Sequence, residues 1–161
     1  MEEKTNMVKT ADGVRYRFNY RGTHRYLIKL PVFSSRKIFT DGNTVLKVVA
    51  ILRNACREHH FDVYAYCFLP DQLVLIARGK SGQSNMKEFL SMFRTTSSEA
   101  LKPVLNDRLW SRKYLERVLR KSEKNRDVAS EIFRLPLKAQ LASRPEDYPY
   151  QGSFVLSVPF K

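Results

Sequence analysis

Residues that bind metals or form cross-links are scarce in this chain. Its 161 residues include 2 cysteines and 3 histidines, and Cys56 and Cys67 do not form a Cys-x-x-Cys motif. So few cysteines exclude a small domain held together by disulfides, and their spacing excludes the common zinc motifs. A disulfide between the two has no support in the sequence. We therefore expect both thiols to be reduced and buried in a cytoplasmic protein.

Long apolar runs are also missing. No stretch approaches the ~20 apolar residues that a membrane-spanning helix needs, so membrane contact is not expected. Residues 1–13 lack the apolar centre of a secretory signal. Because they are polar, we expect them to form a flexible N-terminal segment. The length suits one domain, which we place at residues 14–152, followed by a tail at residues 153–161.

Acidic residues are few relative to basic ones. The chain has 29 Lys and Arg against 16 Asp and Glu, which gives a formal net charge of +13 and a pI near 10.0. A field of this sign attracts polyanions and speeds their association. Aromatic residues make up 12% of the chain and supply rings on which unpaired bases can stack. The composition favours a protein that binds nucleic acid. The less favoured alternatives are a basic protein without a polyanionic partner and a protein that binds anionic lipid.

Hydrophobic periodicity divides the chain into strands and helices. Strands are predicted within residues 26–32, 61–69, 73–77 and 114–119, and helices are predicted to begin near Asn43 or Thr44, Ser84 or Asn85, and Ser122. Pro103 is predicted to end the second helix. The order β-α-β-β-α-β-α predicts an α+β fold, a ferredoxin-like split β-α-β sandwich with an antiparallel sheet and helices packed on one face.

The strand at residues 61–69 is predicted to lie in the interior of the sheet. Simple alternation places Val63, Ala65, Cys67 and Leu69 on one face and Tyr64, Tyr66 and Phe68 on the other. Both faces are apolar or aromatic, which is typical of a strand covered on both sides.

Two segments combine cations with aromatic rings. Residues 14–25 alternate Arg with Tyr and Phe, and the candidate nucleic-acid contacts there are Arg15, Arg17, Arg21 and Arg25. The alternative is that residues 14–25 form a solvated edge strand that does not contact nucleic acid. The candidate contacts between residues 107 and 126 are Arg108, Trp110, Arg112, Lys113, Tyr114, Arg117, Arg120 and Lys121. For Trp110, core packing and base stacking both stay open.

Three segments in chain order resemble the REP-associated single-tyrosine HUH transposases of the IS200-like family. They are AYCFLPDQLVLIAR at residues 65–78, LWSRKYLERVLR at residues 109–120 and IFRLPLKAQLASRPEDYPY at residues 132–150. In that family the first segment carries a His-x-His pair after a proline. The resemblance implies that such a pair holds Mg²⁺ or Mn²⁺ against the scissile phosphate. A tyrosine on a late helix then attacks and becomes linked to the DNA.

The residues that carry this chemistry in the family are replaced here. The two histidines fall on Gln72 and Val74, the tyrosine falls on Glu131, and an asparagine of the last segment falls on Leu135. Gln72 and Val74 share a strand face, so the geometry is retained while the ligands are lost. A valine has no lone pair for a metal, and a carboxylate would repel the phosphate that a phenol attacks.

The resemblance therefore implies a DNA-binding protein of the IS200-like transposase family, a domesticated or decayed member without catalytic residues or a metal cofactor. Its expected partner is hairpin or single-stranded DNA, bound by a monomer or homodimer. Two alternatives stay open. One is an enzyme that nicks DNA with a metal held by Glu131, Asp127 or His59, or with Tyr114 as nucleophile. The other is a regulatory protein that binds structured RNA.

Overall fold

The computed structural model describes residues 6–9 and 15–156, with side chains described from Phe18 onward. The elements in chain order are β1 (Asn6–Lys9), β2 (Arg15–Phe18), β3 (Arg25–Pro31), α1 (Gly42–His59), β4 (Phe61–Leu69), β5 (Gln72–Gly79), α2 (Met86–Leu105), β6 (Leu115–Val118), α3 (Asn125–Phe133), α4 (Leu135–Lys138) and β7 (Gln151–Gly152). Part of the N-terminal segment that the sequence predicts to be flexible thus forms strand β1.

Five strands form the main sheet in the order β6-β3-β5-β4-β7, and β1 pairs with β2 in a separate two-stranded sheet. All neighbouring strands of the main sheet are antiparallel. The path β3-α1-β4-β5-α2-β6 is the ferredoxin-like split β-α-β arrangement. The predicted α+β fold with an antiparallel sheet is therefore confirmed.

Both faces of the sheet are covered, although the sequence predicts helices on one face. The first face packs against α1 and α2, where Leu52 and Phe93 join Leu75 in one apolar cluster. The second face packs against α3, where Ile132 shares a cluster with Val74. The physical reason is that β4 and β5 are apolar on both faces, so the second face also needs cover.

A bulge in β4 changes the faces that simple alternation predicts. Val63 pairs with Ala77 and Ala65 pairs with Ile76, so Tyr64 is an extra residue on β4. As a result Val63 belongs to the first-face cluster and Ala65 to the second. The prediction that these two residues share a face is wrong, because alternation alone cannot locate an inserted residue.

The ends of the first two helices follow from local hydrogen bonds. Asp41, rather than Asn43 or Thr44, caps α1 and accepts a hydrogen bond from Thr44 N at 2.9 Å. Of the two predicted caps of α2, Ser84 and Asn85, it is Asn85 that caps the helix, with its Oδ1 3.1 Å from Glu88 N.

Two other predicted helix ends are wrong. Pro103 lies inside α2, which continues to Leu105. Proline removes one backbone hydrogen bond of the last turn, and Asn106 N donates to Lys102 O at 2.7 Å to close the helix. The third helix begins after Lys124 rather than at Ser122, because residues 120–123 form a turn closed by Glu123 N and Arg120 O at 3.0 Å.

The end of the predicted domain contributes a fifth strand, β7, that sequence patterns did not show. Phe68 N donates to Tyr150 O at 2.8 Å and Phe154 N donates to Val63 O at 3.0 Å, so this segment runs along the edge of β4. Strand β7 has 2 residues, which is too short for an alternating pattern.

The cysteines are placed as the sequence predicts. Cys56 and Cys67 are both free and buried. Burial raises the pKa of each thiol to about 12, so both stay protonated at neutral pH. Within residues 6–9 and 15–156, no helix combines the length and apolar character needed to cross a membrane.

Candidate nucleic-acid interface

Strand β6 divides the basic segment 107–126 between the two faces of the sheet. Successive side chains of a strand point to opposite faces. Glu116 lies on the first face, 2.8 Å from Lys87 Nζ of α2. Arg117 lies on the second face, 2.9 Å from Glu123. Cations that are contiguous in sequence therefore belong to two surfaces.

A cleft of about 480 Å³ lies on the second face of the sheet, and we call it the α3 cleft. It exists because α3 covers β4 and β5 while β3 and β6 stay open. Its walls include Leu27 and Lys29 of β3, Val74 of β5, Arg117 of β6 and Asp127, Val128, Glu131 and Ile132 of α3.

The α3 cleft brings together three of the four positions that the family resemblance singles out. Val74 and Glu131 both line it, as does Leu135. Gln72 is half-buried at the start of β5, opposite Pro31, and is not part of the cleft lining. Val74 is 2% exposed and belongs to the apolar cluster under α3.

The residues at these positions do not fit Mg²⁺ or Mn²⁺. Such ions need several oxygen or imidazole ligands, and the buried Val74 supplies none. In the part of the chain that the structure describes, no group of three or more His, Cys, Asp or Glu side chains is arranged to hold a metal ion. His59 lies between α1 and α2, with Nε2 3.1 Å from Met92 Sδ, and not in the α3 cleft.

Arg25 holds the connection between β6 and α3. Its guanidinium donates to Arg120 O, Glu123 O and Asn125 Oδ1, each at 2.7 Å. The sequence predicts Arg25 as a nucleic-acid contact. The structure instead engages its N–H groups in fixing residues 120–125.

Glu123 organises the same connection from within. Its Oε2 accepts a hydrogen bond from Arg120 N at 2.7 Å, and Arg117 binds the same carboxylate. Burial by itself would raise the pKa of Glu123, but the hydrogen bonds from Arg120 and Arg117 outweigh it and lower that pKa. The carboxylate therefore stays ionised and neutralises much of the charge of Arg117.

Exposed cations flank β6 and this connection, and we call them with Arg117 the β6 basic surface. Its other members are Lys29, Arg112, Lys113, Arg120, Lys121 and Lys124. No ion pair among the described residues neutralises these other members. The surface is therefore positive, with Glu123, Asp127 and Glu131 as the acids in the cleft wall.

Trp110 is a core residue in the structure. It is 4% exposed, and its ring packs 5.6 Å from Phe39 and 5.8 Å from Phe93, measured between centroids. Its Nε1 donates to Ser97 Oγ at 2.9 Å. Of the two roles left open by the sequence, base stacking on Trp110 is incompatible with this burial.

The remaining predicted contacts are dispersed. Arg108 and Tyr114 line a second groove beside α2 rather than the α3 cleft. Arg21 is half-buried and forms an isolated backbone bridge with Asn85. Arg15 and Arg17 lie in β2, but their side chains are outside the described part of the structure.

The strand order and the cations around β6 define this protein as a basic, ferredoxin-like α+β domain. No protein-family model matches the sequence, and no curated protein matches it either.

Solved structures do share the fold. A REP-associated tyrosine transposase bound to a REP hairpin is 16% identical and matches 86% of this chain and 81% of its own, with a TM-score of 0.71. A Deinococcus radiodurans R1 protein assigned as a transposase is also 16% identical and matches 80% of this chain and 99% of its own, with a TM-score of 0.52. At such identity the likeness establishes the fold.

Proposed function

We propose that this protein binds hairpin or single-stranded DNA through the β6 basic surface, as a non-catalytic member of the IS200-like transposase family. The observation that carries the proposal is the set of unneutralised cations beside a cleft in which Val74 and Glu131 stand at the family's ligand and nucleophile positions. The fold shared with a transposase bound to a REP hairpin supports it.

The binding energy would come mainly from phosphates. Each Lys or Arg that neutralises a phosphate releases a condensed counterion, so affinity falls with salt. Arg112 and Lys113 precede β6 and Arg120 and Lys121 follow it, so the cations border both ends of the strand. Such spacing suits successive phosphates of a folded strand better than a single small anion.

The chemistry of the cleft favours binding without cleavage. Val74 cannot ligate a metal, and the exposed carboxylate of Glu131 would repel a phosphodiester rather than attack it. We also place the protein in the cytoplasm, where the thiols of Cys56 and Cys67 remain reduced.

The binding claim is tested by fluorescence anisotropy with a labelled DNA hairpin over a salt series. We expect Arg112→Ala combined with Lys113→Ala to weaken binding and to reduce the slope of log affinity against log salt by about 0.7–0.9 for each phosphate that is no longer neutralised. The matched control is Lys47→Ala with Arg57→Ala, which removes the same charge from the exposed side of α1. Equal effects of both pairs, or salt-independent binding, would contradict the proposal.

Catalysis and sugar preference are tested separately. Incubation of labelled hairpin DNA with Mg²⁺ or Mn²⁺ is expected to give neither a nick nor a covalent adduct on a denaturing gel. A nick that Glu131→Ala abolishes would replace the proposal with a rearranged enzyme. Competition with an RNA hairpin of the same sequence decides between DNA and RNA, because a stronger RNA competitor would indicate recognition of the 2′-hydroxyl.

A further inference from the structure

A groove of about 430 Å³ lies on the first face of the sheet, opposite the α3 cleft. One wall is the outer side of α2 and the other is formed by residues 108–114. We call it the α2 groove. Its polar lining consists of the cations Lys87, Arg94 and Arg108, the hydroxyls of Ser91, Thr95, Ser98 and Tyr114, and the carboxylate of Glu99.

Lys87 contributes little net charge to the groove. Its Nζ lies 2.8 Å from Glu116 Oε2 and 3.0 Å from the hydroxyl of Tyr114. Burial alone would lower the pKa of Lys87, but these hydrogen bonds raise it overall, so the pair is ionised and mutually neutralised. The positive charge available to a ligand therefore comes from the two arginines.

Arg94 is held rigidly and still has an unused donor. Its Nη2 donates to Ser111 O at 2.7 Å, and its guanidinium carbon lies 4.9 Å from the centroid of Tyr114. Its Nε is buried and has no hydrogen-bond partner among the described residues. Buried donors are nearly always satisfied, so this N–H leaves Arg94 an incompletely satisfied cation in the wall of the groove.

Arg108 stands at the other side of the groove. Its guanidinium carbon lies 4.8 Å from the centroid of the Phe33 ring. This contact occupies the face of the guanidinium, so the N–H donors at its edge remain for a ligand. Arg36 contacts the same ring and donates to Arg108 O, so the segment that carries Arg108 is fixed. No carboxylate in the described part of the chain pairs with Arg94 or Arg108.

We propose that the α2 groove binds the phosphate group of a nucleotide, free or within a strand. Planar guanidiniums bind phosphate oxygens through paired hydrogen bonds, and the hydroxyls of Ser91, Thr95 and Ser98 can donate to the same oxygens. The sheet separates this groove from the α3 cleft, so the site does not depend on hairpin binding.

The test is an NMR titration of the full chain, labelled to observe arginine Nε–H groups. Inorganic phosphate and adenosine monophosphate are expected to shift the Arg94 signal in a saturable way, and uncharged adenosine is not. We expect Arg108→Gln to weaken phosphate and nucleotide binding roughly five- to tenfold, since it removes charge-assisted hydrogen bonds. Arg94→Lys is expected to weaken it similarly, and Arg57→Gln on α1 is the control that leaves it unchanged.

A second arm separates the two sources of the phosphate. An oligothymidine with a 5′-phosphate that outcompetes adenosine monophosphate would assign the groove to a nucleic-acid strand, and the reverse order would assign it to a free nucleotide. Absence of a saturable shift with all probes, or unchanged affinity in the folded Arg108→Gln variant, would overturn the proposal. If Arg112→Ala with Lys113→Ala abolishes hairpin binding but leaves the saturable Arg94 shift unchanged, the result bears on the β6 basic surface and not on the α2 groove.

Discussion

Trp110 shows how burial decides the role of a single residue. In sequence it stands among cations, where a ring is a natural base-stacking platform. In the structure its indole N–H donates to Ser97 Oγ, and Ser97 donates onward to Phe93 O at 2.6 Å. The ring therefore joins α2 to the core, and the stacking surface that the sequence allowed does not exist.

This role predicts a stability effect without a binding effect. Trp110→Phe keeps an aromatic ring but loses volume and the hydrogen bond to Ser97, so unfolding should become easier by about 2 kcal/mol. Urea denaturation measures this change. Ser97→Ala is the companion variant, because it removes the hydroxyl that accepts from Trp110 while the indole ring stays, and it should also destabilise the fold. DNA affinity should stay unchanged, whereas a stacking role would require a loss of about 1–3 kcal/mol in binding.

The connection between β6 and α3 carries Arg120, Lys121 and Lys124 of the β6 basic surface. Its residues 120–124 contain no regular secondary structure, so their positions rest on specific contacts. Arg25 supplies these from β3 through the carbonyls of Arg120 and Glu123 and the side chain of Asn125. A cation that the sequence predicts as a nucleic-acid contact thus positions Arg120 and its neighbours in this connection.

Removing this arginine should loosen the connection. Arg25→Ala is expected to lower the free energy of unfolding by about 1–3 kcal/mol, because the guanidinium donates to several acceptors at once. Amide hydrogen exchange at residues 120–125 should speed up more than in β4 or β5. The matched control is Arg78→Ala, which removes an exposed charge from the position paired with Arg25 on β5. Unchanged exchange in Arg25→Ala would show that the connection is fixed by other contacts.

At the scale of the whole molecule, charge acts on stability and on binding in opposite directions. A net charge of +13 attracts nucleic acid, but it also repels itself in the compact state. Salt screens both effects, so it should stabilise the fold while it weakens the complex.

This opposition predicts two trends in one salt series. Between about 50 mM and about 200 mM salt, the Tm of the free protein should rise while hairpin affinity falls by orders of magnitude. Differential scanning calorimetry and anisotropy measure the two. In Lys47→Glu with Arg57→Glu, the Tm should depend less on salt because the net charge is smaller. A Tm that falls with added salt would show that repulsion among the cations does not limit the stability of the fold.

Much of the architecture was accessible from the sequence. The apolar periods around Leu52 and Phe93 predicted two core helices, and the apolar residues on both faces of β4 predicted an interior strand. The cap at Asn85 was predicted because its side chain acts on a backbone group three residues away. These features depend on neighbours along the chain, which a sequence displays directly.

The candidate site was only partly accessible. The resemblance assigned Gln72, Val74 and Glu131 to one site, and the structure brings Val74 and Glu131 together in the α3 cleft while Gln72 lies outside its lining. The division of the basic segment by β6, the burial of Trp110 and the α2 groove were not foreseen. A run of cations indicates an anionic partner, but it does not say which face of the fold each side chain joins.

The α+β class, the core of the two long helices and the positive charge that favours a polyanionic partner all follow from the amino-acid sequence. The bulge at Tyr64, the internal support by Arg25 and the distribution of cations over two opposite surfaces become visible in the folded chain. The physical reason is the separation along the chain between the residues that fix each property. Periodicity, capping and net charge are local or summed properties, whereas these outcomes depend on hydrogen bonds and packing between residues far apart in the chain.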